Sequence, residues 1–315
     1  MIAARRSRGL PAILRVPVSL PVPKCRRMGH LMTVGIGVAC QRGTCVVMAA
    51  DGKGSFENEP SLSHERIGKQ YSLPFGLYGN IAGVVTLCNS VMNRIFTGLE
   101  AHRGSSTLRL DTLRDAVEDA RYAEFLHYVD GKMRRHLGMT VEQWQQLPSA
   151  SLHYRRGQRL LNRSPLPVEG LIGGIVGSGC VIHFGLGDTA CADPLACIGI
   201  GADAAYRWLV KRSQEVYMSI PRTILHIAEA MREAKLDQPK TVGDPADYVV
   251  ITERQIRRMP AKDPTLQQML AKYVEADTEE IDSSDEIWRA IQGAMYLPGI
   301  SKADYENGIR EAQSH

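Results

Sequence analysis

Met32-Thr33 is the pair of neighbours in this 315-residue chain with the most direct route to chemistry. A threonine hydroxyl is a weak nucleophile until a base takes its proton. When threonine is the first residue of a chain, its own α-amine has a pKa of about 8 and can be that base near neutral pH. Removing an initiator Met ahead of a small residue exposes Thr33 without propeptide cleavage, so Met32 is the expected true start. Asp51 is the second candidate. It ends the apolar run Val46-Val47-Met48-Ala49-Ala50, and a hairpin that folds this run back on the residues after Thr33 returns the carboxylate to the nucleophile. The other reactive side chains form no comparable set. Cys40 and Cys45 flank a turn and read as small buried hydrophobes facing each other across it, and no further ligands are spaced to make them a metal site. Cys180, His183, Cys191 and Cys197 lack zinc-ribbon spacing, and His64 and His102 fall near element ends. No metal or cofactor is expected.

These residues need elements to position them. Residues 33–40 alternate small residues with Val34, Ile36 and Val38, the period-two pattern of a strand. Gln41-Arg42-Gly43 is a turn, and 44–50 is a second strand, so the two form a hairpin. Residues 71–83 read as another strand pair, broken at Pro74-Phe75-Gly76. Over 84–99, apolar residues recur at i, i+3 and i+4 and predict a helix with a broad core face. A second helix is expected over 111–136, and Thr140 with Gln143 makes a capping box for a short third one. Residues 149–168 are polar, basic and proline-terminated and read as an exposed excursion. Strands return at 170–176, 181–186 and 197–199, followed by helices after Gly201 and at Pro221, which suits a first helical turn. A last strand covers 248–252. Segregated runs of strands and helices predict a layered α+β sandwich, not an alternating βαβ sheet.

Composition narrows the class further. Apolar residues make up 44% and charged residues 23% of the chain, which excludes wholesale disorder and a fibrous architecture. The formal net charge of +4 divides unevenly: residues 1–31 carry seven Lys or Arg and no acid, leaving −3 on the rest. A mildly acidic body gives no electrostatic reason to expect a nucleic-acid partner, and no apolar run is long enough for a membrane helix. Seven irregularly spaced Cys argue for a reducing compartment, hence a cytoplasmic protein. The leader 1–31 has four prolines that interrupt every apolar stretch, so it is no secretory signal. It reads as a presequence, a propeptide, or residues upstream of the true start, the last being the expectation taken here. Beyond 253 the composition shifts to prolines, an acidic cluster (Asp277, Glu279, Glu280, Asp282, Asp285, Glu286) and a further capping box at Ser283 and Glu286. Residues 254–315 are expected to form a helical C-terminal appendix, its acidic cluster a solvated face.

Met32-Thr33-Val34-Gly35-Ile36-Gly37, then Val46-Val47-Met48-Ala49-Ala50-Asp51, then Ile81-Ala82-Gly83 ahead of a helix, resemble the proteasome beta-type family of N-terminal-nucleophile hydrolases. The resemblance continues through 170–176, Ile198-Gly199-Ile200-Gly201-Ala202 and Asp237 to 252, covering residues 32–253, with 137–168 as an insertion. It implies a four-layer αββα sandwich, homo-oligomeric ring assembly, an ATPase or regulatory partner, and hydrolysis of peptides or unfolded protein by an N-terminal threonine. It assigns Thr33 as nucleophile, Asp51 as the family's acid, Gly83 as the oxyanion-hole glycine and Asp237 as the supporting aspartate. Two residues compete for the family's lysine: counting back from Gly83 gives Lys69, and aligning on Glu65-Arg66-Ile67 gives Arg66. Three features depart from the pattern. Asp51 lies two residues later than the family's acid, a difference that a hairpin one residue longer on each limb absorbs. Ile200 stands where the family has serine in its Gly-Ser-Gly turn, and only Lys240 and Thr241 fall near the second supporting serine. Matching Val34-Gly35-Ile36 to the family's own Val-Gly-Ile instead puts Leu31 at the nucleophile position. These departures support the alternative of an inactive ring or scaffold subunit. A small-amide hydrolase on the same fold is a third reading.

Overall fold

The computed structural model describes residues 34–51, 70–104, 107–162, 166–185, 190–239, 241–243 and 246–275. The leader, Thr33, Arg66, Lys69 and the acidic cluster with its capping box lie outside the described residues.

Strands β1 (Val34–Cys40) and β2 (Cys45–Asp51) form the expected hairpin around a 3-10 turn at Gln41–Gly43. Pairing runs without a bulge from Gly35 opposite Ala50 to Cys40 opposite Cys45. The ladder that leads to Asp51 is therefore regular, and every side chain keeps its face. The turn puts Gln41 and Arg42 at φ of 48° and 56°. Their left-handed backbone is held from outside, because their N–H groups donate to the carbonyls of Met218 (2.9 Å) and Val216 (2.8 Å).

The hairpin lies inside a five-stranded antiparallel sheet. Strand β8 (Leu195–Gly199) pairs with β1, strand β9 (Ala246–Thr252) pairs with β2, and β10 (Ile256–Met259) closes the far edge. A second five-stranded antiparallel sheet follows chain order: β3 (Gln70–Leu73), β4 (Leu77–Gly83), β5 (Val168–Val176), β6 (Ser178–Phe184) and β7 (Cys191–Asp193).

Three apolar layers hold the sheets and helices together. Helices α1 (Val85–Glu100) and α2 (Leu110–Leu137) cover the second sheet, burying Val91, Ile95, Leu113 and Val117 against Leu77, Ile81 and Ile172. Helices α5 (Ala202–Lys211) and α6 (Ile220–Asp237) cover the first, where Leu209, Ile224 and Ile227 meet Val34, Ile36, Val38 and Val47. The two sheets face each other through Ala39, Val46, Met48, Leu171, Val181 and Ile198. Residues on β1 and β2 alternate between helix and sheet contacts, so both faces of these strands are buried. Sheet-to-sheet contact is close: a Cβ at Gly173 would lie 2.5 Å from the Met48 sulfur. The fold is thus α+β, with helices on both outer faces of two packed sheets.

Three expectations need correction. Residues 149–168, expected only as an exposed excursion, carry regular structure. After the short helix α3 (Val141–Gln145), they contain α4 (Leu152–Asn162), which packs on the C-terminal half of α2 around Trp144. The helix was illegible because its inward face is built from Tyr154, Gly157, Leu160 and Leu161, with a glycine in place of one apolar residue. The sheet also does not end near 253: β10 pairs with β9 from Ile256 opposite Ile251 to Met259 opposite Tyr248. The short edge strand β7 was missed because three residues carry no period. The stretch 254–315, expected to be a helical appendix, opens with a strand, and its helix among the described residues is α7 (Pro264–Glu275), with Leu266 and Leu270 on the α5/α6 side of the sandwich. No helix among the described residues is long and apolar enough to cross a membrane.

Candidate active site

Asp51 is the best-defined polar group at the open end of the hairpin. Strand β2 delivers it opposite the start of β1, where it is 2% exposed. Its Oδ1 accepts from the N–H of Val34 at 3.1 Å, and its Oδ2 accepts from the N–H of Gly243 at 3.1 Å. Two backbone donors on a buried carboxylate fix both oxygens and the segments that supply them. The Val34 nitrogen is the atom bonded to residue 33, so the expected approach of the acid to the start of β1 is present in the described residues.

The neighbouring strand supplies a glycine turn. Gly199 pairs with Val34 across the sheet and has φ of 88°. Its N–H donates to Glu169 Oε2 at 2.8 Å, a bond from β5 that ties one sheet to the other. Gly201 begins α5 with so little space that a Cβ there would lie 2.8 Å from the Ala234 Cβ and 3.4 Å from the Val34 Cβ. Ile200 between them is 38% exposed. Asp51, Gly243, Gly199 and Gly201 therefore converge on Val34.

Gly83 ends β4 at φ of 140°, opposite Val168. Only glycine fits: an added Cβ would stand 2.2 Å from the Pro167 carbonyl oxygen. Three residues earlier, Asn80 is 1% exposed in the space between the sheets, near Gly35. Its Nδ2 donates to the Ala49 carbonyl at 3.0 Å, while its buried Oδ1 has no hydrogen-bond partner among the described residues.

Asp237 does not join this group. It is exposed at the end of α6, and its Oδ2 accepts from Gln238 Nε2 at 3.0 Å. The helix runs to this residue, so the expected supporting aspartate is left on the solvent side, and the loop beyond it reaches Asp51 through backbone Gly243. Glu169, Asn80 and Gly243 were missed by sequence reasoning. Glu169 was findable as the one charge in the apolar strand Val168–Val176; a backbone donor such as Gly243 leaves no mark in a sequence.

Groups elsewhere are kept neutral by their surroundings. The Cys40 thiol is raised well above its usual range by its hydrogen bond to Cys45 and by burial, and burial alone raises Cys180 and Cys197. Burial, aided by Arg222 and Arg212, holds His226 down at about 4. None of these favours a reactive thiolate or an imidazolium at neutral pH. Among the described residues no cluster of His, Cys, Asp and Glu is arranged to hold a metal. No protein-family model matches the chain, and no curated protein matches it.

Proposed function

We propose that the chain is a threonine-type peptidase of the N-terminal-nucleophile kind, built on a proteasome-like αββα sandwich. The observation that carries this reading is the buried Asp51 carboxylate bonded to the Val34 N–H, immediately after Thr33. In this scheme the free α-amine of Thr33 takes the proton from its own Oγ, and Oγ attacks the substrate carbonyl carbon. The Gly83 N–H receives the resulting oxyanion, a contact that can be worth about 3 kcal/mol in the transition state. The carbon–nitrogen bond breaks as the α-ammonium returns the proton to the leaving amine. Water then cleaves the acyl ester and regenerates Thr33. Asp51 holds the first peptide of β1 in place, and Lys69 or Arg66 supplies the positive charge of the proton network. Peptides or unfolded protein are the substrates, in a cytoplasmic ring of identical copies served by an ATPase or regulatory partner.

Mass spectrometry of the native N-terminus is the test. A mature chain beginning at Thr33, labelled there by a threonine-directed electrophile and losing hydrolysis on Thr33→Ala, is the expected result. A chain that keeps Met1, or hydrolysis unchanged by Thr33→Ala, overturns the reading. The second reading, a non-catalytic ring subunit, is favoured by Ile200, whose side chain brings no hydroxyl to the Gly-Ile-Gly turn. Its signature is normal oligomerisation with no labelling.

A further inference from the structure

The α3–α4 excursion is a fixed platform with an unmatched charge. Trp144 stacks on Tyr154 with ring centroids 4.9 Å apart, and its Nε1 donates to the Tyr154 carbonyl at 3.0 Å. Gly157 lets α4 lie directly against that indole, since a Cβ there would be 2.1 Å from the Trp144 Nε1. With its inner face held, α4 turns Arg155, Arg156 and Arg159 outward, all exposed. At about 100° per residue these three and Leu152 fall within roughly one third of the helix circumference. Leu152 is 61% exposed, and α4 has no acidic residue. None of the three arginines meets a carboxylate among the described residues.

The complementary charge is in the same chain. Residues 277–286 hold six carboxylates and no Lys or Arg, and Ile287 and Trp288 follow. We propose that the outward face of α4 docks this acidic segment from a second copy of the chain. Helix α7 leads to the segment from the α5/α6 side, the outer layer opposite α2. The intervening layers, spaced about 10 Å apart, put roughly 30 Å between the two faces. A fully extended chain could carry Asp277, Glu279 and Glu280 no further than about 17 Å from residue 275, short of that gap. Reach therefore favours the arginines of a neighbour. Such a head-to-tail contact joins unlike surfaces, so it closes into a ring or propagates as a filament.

The test uses the full-length chain in analytical ultracentrifugation at low and at 1 M salt, where the screening length falls to about 3 Å. Reversing the helix (Arg155→Glu with Arg156→Glu and Arg159→Glu) and reversing the segment (Asp277→Lys with Glu279→Lys and Glu280→Lys) should each weaken self-association at least tenfold. Combining both sets in one chain should restore it, and 1 M salt should weaken the wild type. Circular dichroism confirms that each variant is folded. Association indifferent to the helix reversal overturns the proposal. Loss without rescue by the double reversal overturns the named occupant. Charge-dependent docking within one chain, with no change in association, overturns the second-copy assignment. Binding of the wild type to acidic vesicles that ignores the segment reversal would assign the face to lipid instead.

Discussion

The two ends of the β1–β2 hairpin bury polar groups in opposite ways. At the turn, side chains satisfy one another in a neutral row: Cys45 bonds Cys40, Cys40 reaches Thr223, Gln214 Nε2 donates to Thr223 Oγ1 at 3.3 Å, and His226 Nδ1 meets Gln214 Oε1 at 2.8 Å. At the open end, one carboxylate is held by two backbone N–H groups from different segments. A row of neutral groups is a sealed joint. A buried acid gripped by main-chain N–H groups costs more to bury, and it is the arrangement expected where chemistry is placed.

Substitutions at the two ends should separate these roles. Asp51→Ala strands two buried N–H donors and should cost about 3 kcal/mol in urea unfolding, together with all hydrolysis. Asp51→Asn keeps one acceptor and should cost less than half of that; equal stability for Asp51→Ala and wild type would remove the contrast. Gly83→Ala should cost about 2 kcal/mol, because its backbone conformation and the nearby Pro167 carbonyl both reject a methyl group, with loss of activity beyond the loss of folded protein.

At the turn the expected signature is in pH. His226 titrates lower in the folded chain, at about 4, than its ordinary 6.5. The folded chain therefore binds fewer protons between those values. The associated stability is complete above about pH 6.5 and is lost as pH falls towards 4, by roughly 2 kcal/mol after allowance for screening. Urea midpoints from pH 4 to 7 should show this slope, and His226→Gln should flatten it. The smallest effect is in thiol reactivity. Cys40 and Cys45 should resist a disulfide reagent at pH 8 until the chain unfolds, whereas exposed Cys191 should react at once. Rapid native labelling of Cys40 would show that the turn end is not sealed.

The hairpin, the two helix pairs and the convergence of Asp51 on β1 were legible because periodicity and turn residues carry them. The remaining site contacts were not, for a common reason. Gly243 acts through its main-chain N–H, Asn80 through a position inside an otherwise apolar strand, and Glu169 through a bond to the opposite sheet. Each depends on which sheet face a residue occupies once two sheets are packed, a pairing that no local pattern encodes. Asp237 failed in the opposite sense, since its place along the chain suited a site that the length of α6 carries it past. Helix α4 escaped because Gly157 trades side-chain volume for contact with an indole, and a pattern count reads that as a gap.

Pro194 lies between β7 and β8, the edge strands of the two sheets, so one continuous stretch of backbone binds that margin like the spine of a book. The opposite margin is closed by a clasp of side chains: Arg258 from β10 reaches Ser72 on β3 and lies over the Tyr78 ring, and Gln70 Nε2 on β3 donates to the Asp247 carbonyl of β9 at 3.3 Å. Any parting of the covers must begin at the clasp and stop at the spine, so amide hydrogens along β3 should exchange before those along β8.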